Sequence, residues 1–166
     1  TISCEHELLE DYVNLLLSLK LDGKIVGILN TINDSMSDAI KNEKTDVLYG
    51  RDHFFEELLG LKFKVSAFSF FQTNSLSAEV IYNKAREYVN EDLKNNSVIY
   101  DLYSGTGTIS QLIAPVAKKV IGVEIVEEAV IAARENASLN GLTNCEFIAD
   151  DVLKALDNIN EKPDYI

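Results

Sequence analysis

The stretch Val98–Ser110, "VIYDLYSGTGTIS", decides how the chain is read. An apolar segment of strand type, Val98 to Tyr103, runs directly into a turn with two glycines and then into a helical pattern. Gly105 and Gly107 permit a tight turn and leave bare backbone for a ligand to lie against, while Thr108 opens the helix. A glycine-rich turn also arises for purely local reasons, so the flanking sequence has to decide its meaning.

The flanks alternate. "SLSAEVIYNKAREYVN" (75–90) is predicted as a helix with Ile81, Ala85, Tyr88 and Val89 on one face, and "TISQLIAPVA" (108–117) as a second helix with Pro115 near its end. "KVIGVE" (119–124) reads as a strand, "VEEAVIAARENASLN" (126–140) as a helix closed by Gly141, "CEFIA" (145–149) as a strand and "DVLKALDNI" (151–159) as a helix. Such alternation implies right-handed crossovers and a parallel sheet. "DYI" (164–166) reads as the first residues of one more strand, where a doubly wound sheet normally continues beyond its first strand. Only half of such a sheet is present, so the chain is expected to be a piece of a longer protein.

Upstream the grammar differs. Leu8, Leu9, Tyr12, Val13, Leu16 and Leu17 recur at helical spacing, which predicts an amphipathic helix from about Glu5 to Leu19. "KIVGILNTI", "VLYG" and "LKFKVSAF" read as strands, with the polar "NDSMSDAIKNEKTD" as a loop or long hairpin connection. The fold class expected is therefore α/β, with a small α+β unit over 1–66 followed by the first half of a Rossmann-like parallel sheet over 67–166.

Carboxylates mark the ligand. Glu124 closes the strand about 20 residues beyond the glycines, where an acid can accept both hydroxyls of a ribose. Asp101 lies before Gly105, inside the turn, and Asp150 and Asp151 end the third strand of the alternating unit, so the crevice is expected to be ringed by acids. A pyrophosphate would be repelled there, and the third glycine of a dinucleotide fingerprint is replaced by Ser110. S-adenosylmethionine, with a sulfonium and an ammonium against one carboxylate, suits the crevice better than NAD. Asp101 could equally cap a turn, and Asp150 or Asp151 could be the N-cap of the helix that follows.

The bulk properties fit a soluble globular chain: 166 residues, 46% hydrophobic and 25% charged. Net charge is −12, from 27 acidic against 15 basic residues, the wrong sign for a surface that must neutralise phosphates unaided. The longest apolar run is too short to span a bilayer, and "TISCEHE" has no signal-peptide pattern, so a cytoplasmic location and no membrane partner are expected. Cys4 and Cys145 lack metal-ligand spacing, which predicts structural thiols and no metal.

"GILNTIND", "LKFKVSAFSFFQTN", "VIYDLYSGTGTIS", "VIGVEIVEEAVIAARENASLNG" and "CEFIADD" together resemble the RNA uracil-5-methyltransferases, class I S-adenosylmethionine-dependent enzymes that form 5-methyluridine in tRNA or rRNA. The resemblance runs from about Lys24 to Ile166, with Ser104 where the family commonly has cysteine and Asp150 where it has glycine. It implies that Gln72 of "FFQTN" contacts S-adenosylmethionine, that Tyr103 lines the pocket, that Glu124 holds the ribose, and that Asp151 lies beside the adenine; Asp101, Gly105 and Gly107 join the expected site from the reading of the turn itself. The residues alone would make Phe68, Phe70 and Phe71 core packing and Asn74 a helix cap.

The family's chemistry attacks uracil C6 with a cysteine thiolate and removes the C5 proton with a general base. Both groups are expected beyond Ile166, so no catalytic residue is assigned to this chain and weak or no turnover is expected of it alone. Neither cysteine is placed as the nucleophile, Cys145 because it opens an internal strand on the wrong side of the sheet. His6 and His53 match no catalytic position of the family. RNA would be bound through parts outside these residues, and a sheet cut at "DYI" should expose an edge through which copies self-associate. A small-molecule methyltransferase or a non-catalytic module with the same fold would leave "FFQTN" purely structural.

Overall fold

The computed structural model describes residues 6–32, 44–67, 69–93 and 96–166. Cys4, Phe68 and most of the polar connection after Ile32 lie outside them. The chain forms two compact units, one comprising Phe55–Val65 and Ser69–Ile166, the other the remaining described residues.

In the smaller unit, helix α1 (His6–Ser18) lies against strand β2 (Lys44–Gly50), which pairs antiparallel with β1 (Gly27–Ile32). Leu9 and Val13 line a groove with Val47 and Leu48, whereas Leu8 and Tyr12 are exposed, so only part of the apolar stripe faces the sheet.

A strand absent from the sequence-based reading comes next: β3 (His53–Leu58) forms a hairpin with β4 (Leu61–Ser66). Leu59 and Gly60 make the turn, both left-handed at φ 48° and 79°. Tight hairpin turns need that handedness and usually take asparagine or glycine at the first position. Here Glu79 of helix α2 (Ser75–Leu93) accepts the Leu59 N–H at 2.8 Å and so helps hold a leucine in that conformation.

Three parallel strands form the larger sheet in the order β5 (Val98–Leu102), β6 (Lys119–Glu124), β7 (Cys145–Ala149). Among the described residues β7 pairs with β6 alone, so Cys145 opens an edge strand rather than an internal one. On the other edge Tyr165 bridges Ile99 in parallel, and the backbone groups of Val98 are bonded by Asp164 and Tyr165. The residues read as the first of one more strand thus lie beside β5.

The helices depart from expectation in two places. α3 spans only Thr108–Ile113 and passes into a single 3-10 turn, Ala114–Val116, because Pro115 has no N–H to continue the ladder. On α2 the buried residues are Ala78, Tyr82 and Val89, while Ile81 and Tyr88 are more than half exposed. Asn74 caps the helix as expected, its Oδ1 accepting the Ser77 N–H at 3.0 Å. α4 (Glu127–Leu139) carries Glu127 and Glu128 in its first turn, favourable to the helix dipole, and ends at left-handed Gly141. α5 is Val152–Asn158.

The β3–β4 hairpin belongs with the parallel sheet, not with the unit before residue 66 in which the sequence places it. Asn136 of α4 and Asn140 at its C-cap act as substitute peptide groups along β4. Asn140 accepts the Lys62 N–H at 2.8 Å and donates to its carbonyl at 2.9 Å; Asn136 does the same for Lys64 at 2.8 and 3.3 Å. Gln111, wholly buried, joins this network by accepting from Asn140 at 3.2 Å.

Candidate functional site

Ligands of parallel α/β sheets sit beyond the carboxyl ends of the strands. At the ends of β5 and β6 lies a crevice of about 310 Å³, at the small end of the range for ligand pockets. Gln72, Asp101, Tyr103, Gly105 and Glu124 line it together with Phe70, Phe71 and Tyr82. Five of the seven residues expected at the site are therefore brought together, with no lysine, arginine or histidine among the lining residues.

The wall is built around Glu124. One of its oxygens accepts the Gly105 N–H and the other the Val126 N–H, each at 3.0 Å, which locks the carboxylate across the ends of β6 and the glycine turn. A carboxylate oxygen has more than one acceptor direction, so both retain capacity for a ligand hydroxyl. Tyr103, Gly105 and Gly107 are all left-handed, at φ 64°, 54° and 71°. For Tyr103 that conformation is costly, a kind of strain found at ligand-binding turns.

The two glycines differ. A Cβ on Gly105 would meet nothing within 4 Å, so this position faces open space on the ligand side. A Cβ on Gly107 would lie 2.5 Å from the Phe147 ring and 2.9 Å from Ala133. Gly107 does not line the crevice; it admits the Phe147 ring, which also packs where a Cβ on Gly122 would be, 2.6 Å away. Gly122 went unnoticed in the sequence because it sits inside a strand and away from any glycine cluster.

Asp101 stands on β5 itself, not inside the turn, and turns toward α3. Its Oδ2 accepts both the Ser110 N–H at 3.0 Å and the Ser110 hydroxyl at 2.6 Å. Burial pushes its carboxyl above the usual range, opposed by the two bonds from Ser110. Serine at the place of a third glycine is thus the partner of the strand acid.

Asp151 is not among the residues lining the crevice. It is the N-cap of α5, its Oδ1 accepting from Leu153 at 3.0 Å and Lys154 at 3.3 Å. Asp150 lines a separate cavity of about 370 Å³ with Lys119, Glu146 and Glu161. The expected ring of acids is therefore narrower: Asp101 and Glu124 carry the negative charge of the crevice, because the acids after β7 are drawn to their own backbone.

Gln72 follows an anchor. Phe71 packs against Phe63 of β4 with ring centroids 5.9 Å apart, while Phe70 is 78% exposed. Packing of Phe71 places Gln72 at the crevice, which Tyr82 of α2 also lines. Tyr82 was missed because, by sequence, it is one more apolar position on a helix.

Burial lifts the Cys145 thiol to about 11, with Asp101 adding to the effect, so it is protonated at neutral pH and unfit as a nucleophile. Among the described residues there is no cluster of side chains that could hold a metal and no helix long and apolar enough to cross a membrane.

Residues 93–166 match the methyltransferase domain family. An uncharacterized RNA methyltransferase of Clostridium tetani is 52% identical over 95% of the chain, and one of Caldanaerobacter subterraneus is 58% identical over the same share. The chain spans about a third of the length of these relatives, 34% of each. Among solved structures, the Pyrococcus abyssi tRNA (uracil-54, C5)-methyltransferase in complex with S-adenosyl-L-homocysteine superposes with a TM-score of 0.62 at 29% identity, over 78% of this chain and 31% of that one. The alternating unit has the Rossmann-like class I methyltransferase fold. Over 95% of its length the chain is thus similar to a stretch of proteins named RNA methyltransferases, and its residues 93–166 match a methyltransferase domain.

Proposed function

We propose that these residues form the S-adenosylmethionine-binding part of an RNA uracil-5-methyltransferase, which makes 5-methyluridine in tRNA or rRNA in the cytoplasm. The observation that carries the proposal is the crevice itself: two carboxylates, no cationic side chain, and an open glycine backbone beside Glu124. Such a wall favours a cationic nucleoside over a pyrophosphate. Glu124 would hold the ribose hydroxyls, Tyr103 and Gly105 would border the ligand, and Gln72 would close the crevice from the opposite segment. Asp101 and Gly107 would support the turn from behind. Both bonds of the Asp151 cap end on Oδ1, leaving Oδ2 to accept an adenine amino group.

When bound, S-adenosylmethionine supplies an electrophilic methyl group. The nucleophile and base that activate uracil belong outside this chain, so the proposed role of these residues is to bind and orient the cofactor. The two expected units, 1–66 and 67–166, would divide the labour between a supporting unit and the cofactor site, with the Phe55–Val65 hairpin attached to the latter.

In the protein as its gene encodes it, S-adenosylhomocysteine should bind in calorimetric titration and Glu124→Ala should weaken binding at least about ten-fold, since charged hydrogen bonds contribute about 1.5–3 kcal/mol. Nucleoside analysis of methylated RNA should show 5-methyluridine. A different methylated nucleoside would retain the cofactor site but overturn the uracil assignment; undiminished binding by the Glu124 variant would overturn the site.

A further inference from the structure

The crevice has two walls, and they come from separate stretches of the chain. One is the glycine turn, where Ser104, Gly105 and Thr106 line the cavity; the other holds Phe71 and Gln72, in a segment without regular structure just before α2. Asn74 fixes the far end of that segment at α2, and Phe71 anchors it on Phe63, a buried residue of β4. The place of Gln72 therefore follows the place of β4. Asn140 holds that strand: its two amide hydrogens go to the Lys62 carbonyl at 2.9 Å and to Gln111 Oε1 at 3.2 Å, and its oxygen accepts the Lys62 N–H at 2.8 Å. Both donors are thus committed. Lys62 directly precedes Phe63. Gln111 lies wholly buried on α3, the helix that opens from the glycine turn, and its backbone N–H bonds the Gly107 carbonyl at 3.0 Å. One amide touches the supports of both walls.

We propose that Asn140 is a positioning residue: by tying β4 to α3 it sets the spacing between the Gln72 segment and the glycine turn, so that a ligand meets both walls at once. It acts through Lys62, Phe63 and Phe71 on one side and through Gln111 on the other, and does not itself line the crevice. Water can take over the Lys62 bonds, since that residue is exposed, but water does not fix the distance between two elements. Loss of Asn140 therefore bears on geometry more than on folding. The inference rests on the cofactor reading of the crevice.

The test is a double-mutant cycle in the gene-encoded protein, titrated with S-adenosylhomocysteine. Asn140→Ala should lower affinity about three- to ten-fold, as for loss of one hydrogen bond to the ligand. In a Gln72→Ala background the same change should have no further effect, because the side chain it positions is gone. Asn140→Asp keeps the acceptor for the Lys62 N–H and loses both donors, so it should bind at least as weakly as Asn140→Ala. Unchanged affinity on Asn140→Ala, an equal loss in both backgrounds, or full affinity in Asn140→Asp overturns positioning while leaving the cofactor reading intact. Absence of binding by the parent, or full affinity in Gln72→Ala, overturns the cofactor reading and this inference with it. A second measurement needs no variant: hydrogen exchange at the Lys62 amide should be slow although the residue is exposed, and exchange at the rate of a free surface amide overturns the tie.

Discussion

Two strand-to-helix turns of the same sheet solve the same problem in opposite ways. After β7, Asp151 is an ordinary extended N-cap at φ −60° and ψ 136°, and it satisfies the first N–H groups of α5 from within the turn. After β5, the N-cap is left-handed Gly107, which has no side chain to offer. The work passes to distant acids: Asp101, nine residues back, bonds Ser110, and Glu124 from the next strand bonds Gly105. A local cap fills the space in front of its helix. Capping from the neighbouring strands leaves the turn bare, and a bare turn can take a ligand.

The contrast is broken most forcefully at the glycines. Gly107→Ala would combine a left-handed φ with overlap against Phe147 and Ala133, so it should cost about 2–4 kcal/mol in denaturant unfolding. Gly105→Ala meets no neighbour and should cost only about 1 kcal/mol, its main effect being weaker binding of S-adenosylhomocysteine. Equal destabilisation by the two would mean that the turn has no packed side and open side.

Next in size is the electrostatic cost of capping from a strand. Asp101 has its carboxyl pKa raised in the fold, chiefly by burial, so the native state holds its proton more readily than the unfolded chain. Its contribution to stability is therefore fullest below the ordinary carboxylate pKa and is lost as pH rises through the raised value. Asp101→Asn cannot titrate. The stability of that variant relative to the parent should improve from acid to neutral pH in paired denaturant titrations; a gap that stays constant with pH would remove the buried-charge account of this cap.

The parallel sheet was legible because its signals are local. Apolar runs, Gly105, Gly107 and Gly141, and the acid ending β6 each act within a few residues of where they stand. Asn74 as a cap was legible for the same reason. β3 was not, since its hairpin turn uses Leu59 in place of a turn-forming residue and depends on Glu79 from a helix 20 positions later. Asn136 and Asn140 carry no signal in the sequence, yet their amides complete β4, a pairing that exists only once the helix and hairpin meet. The buried face of α2 was misjudged because both of its candidate stripes are apolar and only packing chooses between them. Of the site, the charge was visible and its allocation was not: "ADD" says that two acids follow β7, and the backbone around them decides that Asp151 caps α5 while Asp150 lines another cavity.

Asp151 gives the smallest and most discriminating prediction, because the cap and the ligand role separate chemically. Asparagine caps a helix about as well as aspartate, whereas alanine loses about 1 kcal/mol. Asp151→Asn should therefore melt within a degree or two of the parent, and Asp151→Ala should be less stable by that cap energy. If Oδ2 also accepts from an adenine amino group, Asp151→Asn should weaken S-adenosylhomocysteine about two- to five-fold by exchanging a charged acceptor for a neutral one. Loss of stability without loss of affinity across both variants would make the turn after β7 purely structural. The ligand would then rest entirely on the turn whose caps come from the neighbouring strands.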